Sequence, residues 1–325
     1  MLQPAIVLRE AGDADQLRLE DVDVTPPGNG QVQVRHTAIG VNFHDVYVRS
    51  GLYKTLPLPG VPGLEAAGVV TAVGPGATRY APGDRVAYLT RQYGAYATER
   101  VIDEDLLVPV PDTISDEVAA THLVKGLTAY ALSHDVYAIK PRDRVLVHAA
   151  AGGVGSLLCQ WAAAKGATVI GTVGSQEKAE AARRNGCEHV ILYREEDFVA
   201  RVAEITHDEG VQVAYDSVGK DTFFGSLACL APLGHLANFG QASGPVPPFE
   251  VSQLFPKANS VSRMSVFVHC RHADIRRQVA ERLFAALHDG TLNPGLIQKF
   301  SLADAPAAHR ALESRERLGS LLLVP

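Results

Sequence analysis

Cysteine is scarce in this 325-residue chain, and its four copies, Cys159, Cys187, Cys229 and Cys270, form no C-x-x-C pair. Such spacing fits reduced thiols better than a disulfide framework, and the four read as small apolar residues. Long apolar runs are missing as well. None approaches the roughly 18 residues a membrane helix needs, and the start, Met1-Leu2-Gln3-Pro4-Ala5, has neither the basic nor the apolar region of a secretory leader. The expected location is the cytoplasm, with no membrane partner. Basic residues are outnumbered, 30 against 36 acidic ones, and no stretch gathers them into a stripe suited to a phosphate backbone, so no nucleic-acid partner is expected. Internal repeats and low-complexity segments are absent too. What is present is ordinary globular composition, 46% hydrophobic and 20% charged, with apolar material for large cores. The length exceeds what one core organises, which predicts two lobes.

The first third alternates by twos. Residues 31–35 lead into Ala38-Ile39-Gly40, and residues 68–73 are closed by Gly74-Pro75-Gly76, as short strands of a β-rich domain would be. Turn residues such as Pro26-Pro27-Gly28-Asn29-Gly30 and Ala81-Pro82-Gly83-Asp84 punctuate them. Near residue 115 the rhythm changes, because Ser115-Asp116-Glu117 can cap a helix carrying Val118, Leu123 and Leu127. From Asp143 onward, apolar runs at residues 144–148, 167–171, 189–192, 211–215 and 233–239 alternate with helical stretches, the pattern of a parallel sheet covered on both faces. A sixth strand is predicted at residues 264–268, making a full dinucleotide fold. The tail then predicts helices near residues 275–287 and 304–313 and a last strand at 321–324, returning to the N-terminal domain. The fold class is α/β: a doubly wound parallel sheet at residues 126–264, with a discontinuous β-rich domain from residues 1–125 and 265–325.

After the strand ending at His148 comes Ala149-Ala150-Ala151-Gly152-Gly153-Val154-Gly155, then a helical stretch from Ser156. Small residues permit a sharp turn, and the helix beyond offers free N–H groups and a positive dipole end to a pyrophosphate. Gly152, Gly153 and Val154 are therefore candidate cofactor contacts. The next strand decides which dinucleotide. An NAD site places an acid at its end to bind the ribose 2′-hydroxyl, whereas here the chain reads Gly174-Ser175, with Lys178 one helical turn on. The missing acid and the present base favour NADPH, although a lone helix lysine is more often simply solvated.

With these residues in view, the chain resembles the quinone oxidoreductase branch of the medium-chain dehydrogenase/reductase family. The resemblance rests on Ala38-Ile39-Gly40-Val41-Asn42-Phe43-His44-Asp45, Arg49-Ser50-Gly51-Leu52-Tyr53, Lys125-Gly126-Leu127-Thr128, the glycine turn, Tyr193-Arg194-Glu195-Glu196-Asp197, Tyr215-Asp216-Ser217-Val218-Gly219 and Glu313-Ser314-Arg315. It implies a GroES-like catalytic domain beside a Rossmann NADP-binding domain. It also implies that Asn42, Asp45, Tyr47, Tyr53 and Tyr130 line the nicotinamide end of a cleft. Gly174, Ser175, Lys178 and Tyr193 would surround the adenosine 2′-phosphate; Ser217, Phe239, Gly240 and Gln241 would border the cofactor, and Arg315 would reach it from the tail. A homodimer follows from the same resemblance, with an edge strand near residues 261–268 able to extend the sheet across a two-fold axis.

The alcohol-dehydrogenase branch has a Cys where this chain has Asn42 and a His where it has Leu64. Neither Asn42 nor Leu64 can supply the deprotonated N or S ligand that catalytic zinc needs, and no cysteine precedes Cys159, so no metal is expected. An acceptor without Lewis-acid activation must take a hydride easily, as a quinone or an activated alkene does. Asn42, Tyr47 and Tyr53 are apt for positioning such an acceptor against the nicotinamide, with no proton donor assigned. Quinone reduction is the leading reading; reduction of enones or alkenals, and a non-enzymatic structural or RNA-binding role, stand as alternatives. His44 and the segment His269-Cys270-Arg271-His272 are given no role, and Glu65 reads as a structural carboxylate.

Overall fold

Alternation of buried and solvated side chains defines the first part of the computed structural model, which describes residues 2–314 and 319–325. The clearest case is β3 (Gln31–Val41), where Val32, Val34 and His36 are buried while the residues between them are not. Around it come β1 (Leu2–Leu8), β2 (Leu17–Asp23), α1 (Phe43–Arg49), β4 (Glu65–Val73), β5 (Arg85–Leu89), β6 (Glu99–Asp103) and β7 (Leu107–Pro109). Helix α2 (Asp116–Tyr130) follows and runs on into a π-helical turn, Ala131–Val136. Strands and helices then alternate: β8 (Arg144–His148), α3 (Gly153–Ala164), β9 (Thr168–Val173), α4 (Gln176–Arg184), β10 (His189–Leu192), α5 (Phe198–Thr206), β11 (Val211–Asp216), α6 (Phe223–Ala228), β12 (Leu230–Asn238) and β13 (Ser260–Arg263). The tail contributes α7 (Val266–His269), α8 (Ala273–His288), β14 (Ile297–Ser301), α9 (Ala305–Glu313) and β15 (Ser320–Val324).

Internal contacts divide the described residues into two units. Unit 1 takes Met1–Leu127, Cys270–His288 and Pro294–Pro325; unit 2 takes Thr128–His269 and Asp289–Asn293. In unit 1 the tail completes a sheet begun by β3, far earlier in the chain. β15 pairs antiparallel with β3, Leu321 opposite Val41, and β14 lies parallel to β15, giving the order β14-β15-β3-β4-β5-β7 with β6 also on β3. Ala305, Ala308 and Leu312 of α9 enter the same core as Ile6, Leu8, Ile39 and Leu323. In unit 2 six parallel strands run in the order β10-β9-β8-β11-β12-β13, so the strand order reverses between β8 and β11, the doubly wound arrangement. Leu146, Ile170, Ile191, Val202, Phe223 and Leu236 form its core, where helices cover strands.

The strand predicted at residues 264–268 is not there. The sixth strand is β13, which precedes it, and Val266–His269 is helical. The reason lies in the partner: Asn238, paired with Arg263, is the last residue of β12, so the ladder has nothing further to run along. Beyond it the Ser265 carbonyl accepts from the N–H groups of Val268 and His269 and turns the chain into α7.

Gly40 shows how tightly β3 is packed. A Cβ there would lie 2.1 Å from the Ala120 carbonyl oxygen and 2.5 Å from Glu65 Oε1, so backbone would have to move. Replacing Gly40 with Ala should cost about 1–3 kcal/mol, the scale of overpacking a close-packed core. Calorimetry of the purified variant should show a clearly lowered Tm, and an unchanged melt would refute the close approach.

Candidate functional site

In unit 1 the candidate residues lie on and beside α1, Asn42 and Asp45 at its start, Tyr47 in its last turn and Tyr53 just beyond its end. Asn42 precedes the helix in extended conformation, φ −128° and ψ 156°, and its N–H donates to Asp45 Oδ2 at 2.8 Å, closing the first turn. Its side-chain amide donates to Glu65 Oε1 at 2.7 Å. A carboxylate only accepts, so this bond fixes which way the amide faces. The other Glu65 oxygen accepts from the Val124 N–H at 2.7 Å, and Lys125 offsets its charge. Burial raises the Glu65 pKa, while Lys125 and the bond from Asn42 pull against it.

Asp45 is fully buried, and its carboxylate is occupied inside the unit. Oδ2 takes the Asn42 N–H and the Tyr96 hydroxyl, 3.2 Å away, whereas Oδ1 has no hydrogen-bond partner. Burial pushes its pKa up to about 7, with the nearby Glu65 adding to the effect. The Tyr96 oxygen is 3.0 Å from His309 Nε2, and His309 Nδ1 is 3.3 Å from Arg49 Nη1. Arg49 also donates to both oxygens of Glu313, at 2.8 and 2.9 Å. The donors sort in one direction. Arg49 can only donate, so His309 Nδ1 accepts; Nε2–H then donates to Tyr96, whose own proton goes to Asp45. Burial, with Arg49 adding to it, lowers the His309 pKa to about 3, which keeps the imidazole neutral as this scheme requires.

Tyr47 and Tyr53, both half-buried, meet edge to face at 5.1 Å between ring centroids. The Tyr53 N–H donates to the Tyr47 carbonyl at 2.9 Å. His44 lies edge-on to Tyr53 at 5.2 Å, so the residue given no role from sequence belongs to the same aromatic cluster.

In unit 2 the other candidates lie at the C-terminal ends of the strands. Ala149 turns the chain out of β8 at φ +53°, and Gly152 precedes α3 in extended conformation. Gly155 has no room for a side chain, since a Cβ would meet the Ala149 oxygen at 2.3 Å. Gly152 is exposed and Gly153 and Val154 are half-buried, leaving the helix start open. At the end of β9, Ser175 caps α4 by accepting from the Lys178 N–H. A Cβ on Gly174 would lie 2.8 Å from the Tyr193 hydroxyl and 3.4 Å from Arg194 Nε, so Gly174 meets Tyr193 and Arg194, with Ser175 and the Lys178 backbone in the adjoining first turn of α4. Asp216 ends β11; its Oδ1 accepts from the N–H groups of Val218 and Gly219 and from Thr222, which holds the turn carrying Ser217. Gly240 packs on that turn, a Cβ there being 2.4 Å from the Ser217 oxygen, while Phe239 and Gln241 flank it half-buried. Tyr130, also in unit 2, stacks on His134 at 4.0 Å and meets Trp161 edge-on. Arg315 lies outside the described residues.

Sequence reasoning missed Tyr96, His309, Arg194 and Asp216. For His309 a signal existed, a histidine within the buried positions Ala305, Ala308 and Leu312 of one short helix.

Two family models match this chain: an alcohol dehydrogenase GroES-like domain over residues 28–112 and a zinc-binding dehydrogenase over residues 153–284. It is 44% identical over 312 residues to quinone oxidoreductase 1 of Escherichia coli strain K12, a match covering 94% of this chain and 95% of that one. The chain belongs to the quinone oxidoreductases of the medium-chain dehydrogenase/reductase family. A 2-haloacrylate reductase from a Burkholderia species is 42% identical over 328 residues, covering 99% of this chain and 98% of that one. The crystal structure of Escherichia coli quinone oxidoreductase complexed with NADPH matches with a TM-score of 0.96 at 41% identity, covering 99% of this chain and all of that one. This quinone oxidoreductase family member is thus an enzyme built from a GroES-like domain and a Rossmann-type sheet. No helix among the described residues is long and apolar enough to cross a membrane.

The buried titrating groups of unit 1 predict opposed pH effects. His36 and His309, held to about 4 and about 3 mainly by burial, are neutral in the fold but take a proton near pH 6.5 when unfolded. Their contribution to stability is lost as pH falls from about 6.5 towards 4. Asp45 runs the other way. With its folded pKa near 7, the native state keeps a proton that the unfolded chain gives up near pH 4, so stability is lost as pH rises from about 4 to 7. An Asp45→Asn variant should therefore gain stability relative to the parent across that window and level off above it. Parallel melting curves from pH 4 to 8 would show that Asp45 titrates normally.

Proposed function

We propose that this enzyme reduces quinones with NADPH by direct hydride transfer, without zinc. The observation that supports it most is the composition of α1 and its flanks: an amide fixed by Glu65 before the helix and the Tyr47–Tyr53 ring pair at its far end. Bound there, the reduced nicotinamide would supply the hydride. The chain's own residues would bind and orient. Asn42 commits one amide proton to Glu65, which leaves its second N–H and its carbonyl as the groups it can present to a ligand. Asp45 acts on the site through the turn it closes. Tyr47 and Tyr53, set edge to face, would offer an acceptor a half-buried aromatic wall and exclude water from it.

The residues fit NADPH at the other end as well. Ser175, Lys178 and Tyr193, with Arg194 beside Gly174, form a hydroxyl and cationic set suited to a 2′-phosphate, and β9 ends without the acid an NAD ribose would require. Gly152, Gly153 and Val154 at the start of α3 would take the pyrophosphate, and Ser217, Phe239, Gly240 and Gln241 the adjoining part of the cofactor. At the positions where the alcohol-dehydrogenase branch carries metal ligands, Leu64 is fully buried and apolar and Asn42 is bonded to a carboxylate.

A second reading, reduction of activated alkenes, is favoured by the 2-haloacrylate reductase relative. Quinones, enones and a haloacrylate assayed with NADPH and NADH would separate the two. Quinone turnover with NADPH should be fastest, zinc should be substoichiometric, and activity should survive chelation. One tightly held zinc per chain whose removal abolishes turnover would end the zinc-free reading. A homodimer belongs to the same proposal, since β13 ends the six-stranded sheet and the exposed Val251 and Phe255 come shortly before it. Light scattering at working concentration tests it.

Lys178→Ala should remove a charge-assisted contact of roughly 1.5–3 kcal/mol, weakening NADPH about 10- to 150-fold. Arg194 sharing the phosphate would place the loss towards the lower end. NADH affinity should hardly change, and the NADPH loss should shrink at high ionic strength. Equal loss for both cofactors, measured by fluorescence titration, would show that Lys178 supports the fold or the shared part of the nucleotide.

A further inference from the structure

Tyr93 occupies a backbone position that would suit glycine. Its φ is +56°, in the left-handed region, and the following Gly94 is at +90°. A bulky aromatic held in that conformation points to a side chain kept for its contacts. The peptide group that follows Tyr93 is pinned through both its polar atoms: the Arg100 guanidinium donates to the Tyr93 carbonyl, and the Gly94 N–H donates to the Val61 carbonyl at 2.9 Å. The residue is only 2% exposed. Its hydroxyl lies 3.2 Å from His44 Nε2 and makes a short hydrogen bond with Thr55 Oγ1.

These bonds join the aromatic cluster of α1. His44 is tilted against Tyr93 at 6.1 Å and edge-on to Tyr53 at 5.2 Å, and Tyr53 meets Tyr47 edge-on at 5.1 Å. One row therefore runs Tyr93, His44, Tyr53, Tyr47, with the exposed Thr55 at its outer end. Burial, and then the positive charge of Arg91, holds the His44 pKa to about 4, so the imidazole is neutral and each ring nitrogen has one hydrogen-bonding sense. A phenol can give one proton and accept another. In either direction Tyr93 donates to one neighbour and accepts from the other, and that matched pair opposes rotation of the imidazole ring.

We propose that Tyr93 is a positioning residue of the acceptor site: its hydroxyl locks His44, and through His44 it sets the tilt of Tyr53 against Tyr47. This rests on the function proposed above, in which Tyr47 and Tyr53 form the surface that receives a flat acceptor. Losing the hydroxyl loosens that surface. Acceptor binding weakens, while the cofactor contacts at the strand ends of unit 2 are untouched.

The test is a cycle of Tyr93→Phe, His44→Ala and the double variant, assayed with NADPH and 1,4-naphthoquinone. Tyr93→Phe should raise the quinone KM about fivefold, the scale of one neutral hydrogen bond, with kcat changed less than about twofold and NADPH affinity changed far less than the quinone KM. In the His44→Ala background the same change should add almost nothing, because the transmitter is already gone. An unchanged KM in Tyr93→Phe, or additive losses in the double variant, overturns the proposal. Should Tyr93→Phe not fold, His44→Ala decides alone, and a normal quinone KM in it counts against the lock. If the parent enzyme reduces neither quinones nor enones, the proposed function fails separately. The imidazole 15N shifts of His44 then carry the test: they must move in Tyr93→Phe, and unmoved shifts refute the lock whether or not there is turnover.

Discussion

The buried carboxylate of Glu65 is the constraint around which unit 1 is organised. It begins β4, and its two oxygens take the Asn42 amide on one side and the Val124 N–H of α2 on the other. A fully buried carboxylate is costly unless it is paired and hydrogen-bonded, so the fold must keep both donors and Lys125 in place together. Gly40 is what lets β3 pass close enough for this, because any Cβ there would strike the same Glu65 oxygen and the α2 backbone. A structural need, satisfying one charge, thus fixes the residue that starts α1 and the direction in which its amide faces.

The tail enters that arrangement twice. Its last strand pairs with β3, and its last helix sends His309 and Glu313 to Tyr96 and Arg49. The hydrogen-bond chain from Arg49 through His309 and Tyr96 to Asp45 has one consistent proton ordering, so each member limits the rotamers of the next. Residues 1–127 taken alone would deprive Arg49 of Glu313 and His309, Tyr96 of His309, and the end of β3 of its β15 partner. The two-segment construction of unit 1 is therefore an energetic requirement, and the start of α1 inherits its rigidity from residues far along the chain.

That dependence explains what the sequence made legible. Apolar runs separated by helix-length stretches revealed the doubly wound sheet, because a strand buried on both faces must be apolar throughout. The glycines at the start of α3 were readable for a similar reason: at Gly155 a Cβ would lie 2.3 Å from the Ala149 oxygen, which admits little else. The sixth strand was misplaced because residues 264–268 are apolar, yet strand formation also needs a partner with backbone to spare, and β12 ends at Asn238. Polar networks were the least legible. Tyr96 and His309 are 213 positions apart, and nothing local marks either as the other's partner. Tyr93 was hidden because positive φ is announced by glycine, and here the glycine comes one residue later.

The same logic bears on the chemistry proposed for this family member. A metal centre takes its order from coordination, so its neighbours need only hold the ligands. In the zinc-free reading, with an amide at position 42 and a buried leucine at position 64, order comes from hydrogen bonds and ring packing instead. Those interactions are individually weak, about 1 kcal/mol each, and positioning by them works only where several act on one side chain. Asn42 is held through both its backbone and its amide, and the Tyr47–Tyr53 pair is held by a backbone bond, a ring contact and the His44 ring behind it. Redundant fixing of that kind suits an acceptor that needs no electrophilic activation and only has to lie flat at the right distance. In the proposed function it would also confine the enzyme to such acceptors, since an amide and a leucine at positions 42 and 64 would not polarise an unactivated alcohol or ketone as a zinc ion would.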